Sequence, residues 1–355
     1  MLRVRKCVQQ VQEYRPVVTS NDARLRLDLN ESTTGCSPRL LAKLNSMDAR
    51  TLALYPDRDA GEKLVANFLG LDPGHVLLTN GADEGIDVLC RAFLEPGDEM
   101  IQVLPAFSMY EIFAQSAGAK VVSVPADEDF AFPRRGILQA INRQTRLIVI
   151  TNPNNPTGVV APRADILNVL EAAPQAAVLV DEAYFEFCGQ TVMDQIGEIA
   201  NLFVIRTFSK AYGLAGLRLG ILAGAEEHME HLRKICCPFN VNAFALGCLT
   251  VALSDQDFVS QYVRQTCATR EWLTRELEQL GFKCWPSHGN FVLSRFGERK
   301  QAILGALRAR GIELRDRSDC EGCVRLTIGT QQEMELVVSE LKLALADLPA
   351  TQVAQ

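Results

Sequence analysis

The chain has 355 residues and a formal net charge of −7, with 48% hydrophobic and 22% charged residues. That composition can fill a large core and excludes a disordered chain. The mild acidity argues against a nucleic-acid surface, which needs clustered Lys and Arg. Length suggests two domains. The opening MLRVRKCVQQVQEYRPV is basic without an apolar segment, so it does not read as a secretory signal. No apolar run nears the roughly 20 residues that span a bilayer, so no membrane partner is expected. Eleven scattered cysteines read as reduced thiols of a cytoplasmic protein rather than a disulfide framework.

In chain order, the first 35 residues fit no regular pattern and read as an arm packed on a second domain or on a partner chain. Apolar, β-branched runs then predict strands at Val76–Thr79, Met100–Leu104, Lys120–Val124, Leu147–Thr151, Ala177–Asp181, Leu202–Thr207 and Leu219–Ala223. Most do not alternate with polar residues, the mark of parallel strands covered on both faces. Amphipathic stretches at Gly85–Leu94, Met109–Ala117 and Arg163–Ala173 lie between them. That βαβ rhythm predicts an α/β, mostly parallel, seven-stranded doubly wound sheet. After Pro238 the rhythm changes. A helical region from Asn242 to Leu280 is followed by a strand at Asn290–Ser294, a helix at Lys300–Arg310, and strands at Ile312–Leu314 and Cys323–Ile328. The expected division is an arm (1–35), a large domain (36–238) and a smaller α+β domain (239–355).

Four loops, each closing or following a predicted strand, carry the candidate chemistry. In Thr207-Phe208-Ser209-Lys210, a lysine leaves an apolar strand with two hydroxyls just before it and Arg218 eight residues on. Lysine can form a Schiff base with a carbonyl, and hydroxyls with an arginine suit a phosphate. Asp181-Glu182-Ala183-Tyr184 puts a carboxylate at a strand's carboxyl end, where α/β sheets bind ligands. It could hold a proton on a heterocyclic nitrogen, though alone such an Asp is more often a helix N-cap. Asn152–Gly158 makes a rigid turn from which one Asn could offer its amide. Asn80-Gly81-Ala82-Asp83-Glu84 opens a helix whose free N–H groups could bind phosphate through backbone, while its acids complement the helix dipole. Together the loops offer a phosphate cradle, a ring-nitrogen anchor, an oxygen donor and an amine nucleophile, and pyridoxal 5′-phosphate needs all four.

The motifs GADEGID, NPNNPTG, DEAYFEF and TFSKAYGLAGLRLG, in this order, resemble those of the fold-type-I pyridoxal-phosphate aminotransferases. With LDLNESTTGCSP, Tyr55-Pro56-Asp57, GIELRDRS and CVRLTIGT, the chain is most similar to the histidinol-phosphate aminotransferase family within them. The resemblance implies that Lys210 holds the cofactor covalently and shuttles a proton, Asp181 pairs with the ring nitrogen, and Tyr184 and Asn155 bond the ring oxygen. It implies that Ala82, Asp83, Thr207, Ser209 and Arg218 bind the cofactor phosphate, and that Phe107, where the family often has Tyr, stacks on the ring. Tyr55 is expected to reach the phosphate of the other subunit in a homodimer. Arg325 is expected to clamp a substrate carboxylate, with Arg315, Tyr14 and Asn30 completing the substrate set. The implied reaction is transamination of L-histidinol phosphate with 2-oxoglutarate, giving imidazole acetol phosphate and glutamate. The alternatives are an aromatic or broad-range aminotransferase and a related decarboxylase of a phosphorylated amino acid. A nicotinamide enzyme is disfavoured, because no Gly-x-Gly-x-x-Gly turn follows the first strand. No metal is expected: His228 and His231 read as surface residues, and Cys320-x-x-Cys323 lacks a second pair.

Overall fold

The computed structural model describes residues 2–14 and 24–347. The remainder of the expected arm (1 and 15–23) and of the expected second domain (348–355) lies outside the described residues. In chain order the helices are α1 Lys6–Gln10, α2 Pro38–Asn45, α3 Ala49–Ala53, α4 Arg58–Leu69, α5 Gly81–Phe93, α6 Met109–Ala117, α7 Arg134–Ala140, α8 Arg163–Ala172, α9 Phe185–Cys188, α10 Glu226–Ile235, α11 Ala243–Ser254, α12 Gln256–Gln279, α13 Lys300–Ala309 and α14 Gln331–Asp347. The strands are β1 Leu25–Leu27, β2 Val76–Asn80, β3 Glu99–Leu104, β4 Lys120–Pro125, β5 Thr145–Thr151, β6 Ala177–Asp181, β7 Leu202–Thr207, β8 Leu219–Gly224, β9 Lys283–Cys284, β10 Phe291–Arg295, β11 Ile312–Arg317 and β12 Cys323–Thr327.

Two-sided burial explains the unbroken apolar runs. Leu147 and Val149 of β5 face one core with Ile86 and Leu89 of α5. Ile148 and Ile150, the alternate residues, face the opposite core with Ile166 and Val169 of α8. β6 divides the same way, with Leu179 on the first side and Val178 and Val180 on the second. The resulting seven-stranded sheet has the order β2-β8-β7-β6-β5-β3-β4. β3 to β7 pair in parallel, and β8 runs antiparallel to both β2 and β7. The short link from Thr207 to Leu219 has no room for a crossover helix, so β8 must return antiparallel. This link holds the candidate lysine.

The second sheet has the order β1-β11-β12-β10-β9. It packs on α12, α13 and α14 around Leu273, Leu277, Ile303, Leu307, Val337 and Leu341. Three expectations change here. The N-terminal arm divides: β1 pairs in parallel with β11, whereas α1 lies on α6, with Arg5 and Cys7 donating to the carbonyls of Ala117 and Ser116. The single helical region from Asn242 to Leu280 breaks at Asp255, whose carboxylate pairs with Arg39 and accepts a hydrogen bond from Ser37. Asp competes with the helix for backbone hydrogen bonds and favours such breaks. Finally, α11 packs on α2 and α4 and contributes Ala245, Cys248 and Leu249 to their core. That core also takes in Val259 and Tyr262 of α12 and Phe291 of β10. Among the described residues no helix is long and apolar enough to cross a membrane.

Beside the end of β6, Glu182 is fully buried. It accepts hydrogen bonds from Arg206 Nε and Nη2 (2.9 and 2.8 Å), Thr191 Oγ1 (2.8 Å) and the Val192 N–H (2.9 Å). Removing it strands a buried guanidinium. Glu182→Ala is expected to destabilise the fold by about 3–5 kcal/mol. Urea unfolding would show this as a lower midpoint at unchanged slope.

Candidate active site

The carboxyl ends of β5, β6 and β7, with β11 and β12 of the second sheet, bring most of the predicted residues together. Asp181 ends β6 and is buried. Its Oδ1 accepts the Ala183 N–H at 2.9 Å and its Oδ2 accepts the Tyr110 hydroxyl at 2.6 Å. It does not cap α9, whose N-cap position is Tyr184; the bond two residues on forms an Asx turn instead. Burial pushes its carboxyl up to about 6. Among the described residues no cation forms an ion pair with it.

Lys210 lies in the turn after β7. Its Nζ donates to the Leu29 carbonyl at 2.9 Å and sits 6.0 Å from the Tyr184 ring centroid. Burial first, then the Arg325 charge, lowers its pKa to about 8. Tyr184 accepts a hydrogen bond from Asn30 Nδ2 at 2.9 Å, and its ring stands edge-on to Phe291 at 5.0 Å. Asn30 adopts the left-handed conformation (φ 55°), which Asn tolerates. Thr327 and Asn290 fix its backbone at 3.0 and 3.1 Å. The structure thus places Asn30 on Tyr184, whereas the resemblance grouped it with the substrate residues.

Arg325, on β12, is buried. Its Nη1 donates to Asn155 Oδ1 and its Nη2 to the Asp28 carbonyl, both at 2.5 Å, while Nε has no partner among the described residues. Burial and the nearby cations lower its pKa to about 10. Arg315 stands opposite it in the β11–β12 register. Arg315 Nη2 donates to the Tyr14 hydroxyl at 3.3 Å and its Nη1 is unpartnered. Three of the expected substrate residues, Arg325, Arg315 and Tyr14, are therefore neighbours.

The expected phosphate residues also converge. Thr207 pairs with Gly220 across β7 and β8, and Gly220 pairs with Thr79 at the mouth of α5. Thr207 Oγ1 donates to Ser209 Oγ at 3.0 Å. Arg218 is left-handed (φ 54°, ψ 58°), a costly geometry for a non-glycine residue, and its Nη2 reaches Asp83 at 3.0 Å. The cradle requires two glycines. A Cβ at Gly81 would lie 2.4 Å from Arg218 Nη2, and one at Gly220 would lie 2.6 Å from the Gly81 carbonyl carbon. Phe107, in the loop after β3, meets Tyr110 edge-to-face at 5.6 Å. Tyr55 is not part of its own chain's site: it is 79% exposed and stacked on Phe239 at 4.2 Å.

Sequence reasoning missed Tyr110 and the contributions of Phe291 and the carbonyls of Asp28 and Leu29. Tyr110 lies three residues after Phe107, a spacing that puts both at one end of α6. These residues fit pyridoxal phosphate. A buried carboxylate without a counter-cation among the described residues suits a protonated ring nitrogen, a helix mouth flanked by Thr207, Ser209 and Arg218 suits a phosphate, and an amine with a lowered pKa suits a carbonyl.

Comparison with known proteins agrees. Residues 24–341 match the family described as aminotransferase class I and II. The chain is 34% identical over 340 residues to a histidinol-phosphate aminotransferase of Clostridium novyi, covering 94% of this chain and 95% of that one. It is 37% identical to one from Roseiflexus castenholzii, covering 90% and 89%. Its fold matches the crystal structure of a histidinol-phosphate aminotransferase from Sinorhizobium meliloti in complex with pyridoxal-5′-phosphate, with TM-score 0.90, 24% identity and 98% and 99% coverage.

Competitive acetylation of the cofactor-free protein at graded pH, read by mass spectrometry, tests the lysine. Lys210 is expected to become reactive with a midpoint near pH 8, whereas exposed lysines follow at about 10.4. A Lys210 midpoint in the ordinary range would contradict the site described here.

Proposed function

This chain belongs to the class I and II aminotransferases, and from that premise we propose that it moves the amino group of L-histidinol phosphate to 2-oxoglutarate, yielding imidazole acetol phosphate and glutamate in histidine biosynthesis. The observation that carries the chemistry is a buried lysine whose amine pKa is lowered to about 8, in the same site as a buried carboxylate that has no cation beside it among the described residues. The substrate reading rests on the names of relatives that match along most of both chains and on the neighbouring Arg325, Arg315 and Tyr14.

Pyridoxal phosphate, when bound, supplies an electron sink and carries the amino group between the two substrates. Asp181 keeps the ring nitrogen protonated, because an ionised carboxylate in a dry site favours a cation beside it. Lys210 Nζ, with its pKa near 8, can take a proton from the substrate Cα at neutral pH and return it. Tyr184 and Asn155 hydrogen-bond the ring oxygen and fix its orientation. Thr207, Ser209, Arg218 and the Ala82 and Asp83 N–H groups bind the phosphate. The Arg218–Asp83 pair is about half exposed on both sides and so is weak. An incoming phosphate can therefore take the guanidinium. Arg325 binds the carboxylate of 2-oxoglutarate or glutamate through its planar fork. Arg315 and Tyr14 meet the phosphate of the amine donor.

The active unit is a homodimer on this reading. Tyr55, Phe239, Leu52 and Leu54 leave apolar surface exposed on one chain, and Tyr55 serves the partner's cofactor. All eleven cysteines are free, as in a reducing cytoplasm.

A panel of amino donors decides the substrate. L-histidinol phosphate is expected to exceed unphosphorylated histidinol and phenylalanine by about 10⁴-fold in kcat/KM, the scale on which a site built for a polar group rejects its absence. Arg315→Ala should remove most of that preference while leaving unphosphorylated donors unchanged. Equal rates with aromatic donors, or release of carbon dioxide from a phosphorylated amino acid, would favour the alternatives.

A further inference from the structure

Tyr110 is 1% exposed and lies at the start of α6. Its hydroxyl is 2.6 Å from Asp181 Oδ2 and 3.0 Å from Thr151 Oγ1. The same ring meets Phe107 edge-to-face at 5.6 Å and 87°. One side chain thus ties together the carboxylate that would hold the ring nitrogen, the aromatic residue expected to stack on the ring and the end of β5.

We propose that Tyr110 is a positioning residue whose neutral phenol holds Asp181 ionised and fixed in one orientation for the cofactor's ring nitrogen. A carboxylate offers about four lone-pair sites. Tyr110 and the Ala183 N–H use two, one on each oxygen, and leave the others for the ring N–H. The donor's neutrality matters. An arginine or histidinium there would stabilise the carboxylate equally well but would cancel the negative charge that keeps the ring nitrogen protonated. Burial and the adjacent Asp181 hold the phenol's own pKa well above its ordinary value, so it remains a donor throughout the working range. With its one proton given to Asp181, the phenol accepts from Thr151 Oγ1, which fixes its rotation.

The inference rests on the reading of the site as a pyridoxal-phosphate site, so wild-type protein loaded with cofactor is the first arm of the test. Tyr110→Phe keeps the ring that Phe107 leans on and deletes only the hydroxyl. With ¹⁵N-labelled cofactor, the ring-nitrogen resonance of the variant is expected to move from the protonated toward the unprotonated position. The cofactor dissociation constant is expected to rise about tenfold or more, the scale of a hydrogen bond to a charged group. kcat should fall by a similar factor at unchanged KM for the amino donor. Thr151→Val, which removes the phenol's second contact, should shift all three readouts the same way by less, and it carries the test if Tyr110→Phe does not fold. A loaded wild type whose variants keep its ¹⁵N position and cofactor affinity would overturn this role alone. A wild type that takes up no cofactor would overturn the site reading with it.

Discussion

A carboxylate sealed from water, with no cation beside it among the described residues, organises this structure. Burying Asp181 costs free energy, and burial first, with the charges of Asp83 and Glu182, holds its pKa up to about 6. The fold offsets that cost only in part, with two neutral donors from Tyr110 and Ala183. The remainder is a standing demand for a positive charge, which a protonated heterocycle meets. Lys210 shows the mirror image. Its amine is buried near Arg325 and bonded to a neutral carbonyl, so it favours losing its proton. Had the two been placed in contact, they would have neutralised each other as an ordinary ion pair. Keeping them apart, each with uncharged partners, leaves both available for chemistry.

The sheet makes that separation possible. β6 delivers Asp181 and β7 delivers Lys210 at adjacent carboxyl ends, where parallel strands converge on a ligand crevice. The antiparallel return of β8 closes the lysine's loop and brings Gly220 against Gly81, so that the proposed phosphate cradle is built from backbone too close for a Cβ. The second sheet adds Arg325 and Arg315 in one register. Its contact with the first passes through Asn155, and through Asp28 and Asn30 just after β1. The N-terminal strand is therefore part of the site's frame.

Much of this was legible in the sequence because its causes are local. All seven strands of the large sheet lie within two residues of their expected bounds, since two-sided burial writes itself as unbroken β-branched runs. Lys210, Asp181, Thr207 and Arg218 were legible because strand ends and glycine turns mark them. What was not legible depends on long-range packing. Asp255 breaks a helix that periodicity carries through. α11 joins the first core although it follows the change of rhythm. The α1 segment packs on α6 rather than on the second sheet, a choice no short window encodes. Asn30 sits under Tyr184, 154 residues away. Tyr110 carries no motif of its own, and only its meeting with Asp181, 71 residues on, reveals it.

The central claim is that the amine at position 210 is the one that meets the cofactor's aldehyde. Loading the protein with pyridoxal phosphate, reducing it with borohydride and mapping its peptides tests this most directly. The account predicts one phosphopyridoxyl group per chain, on Lys210, with loss of the visible colour. A group found on another lysine, or no stable adduct in a protein that still transaminates, would contradict it.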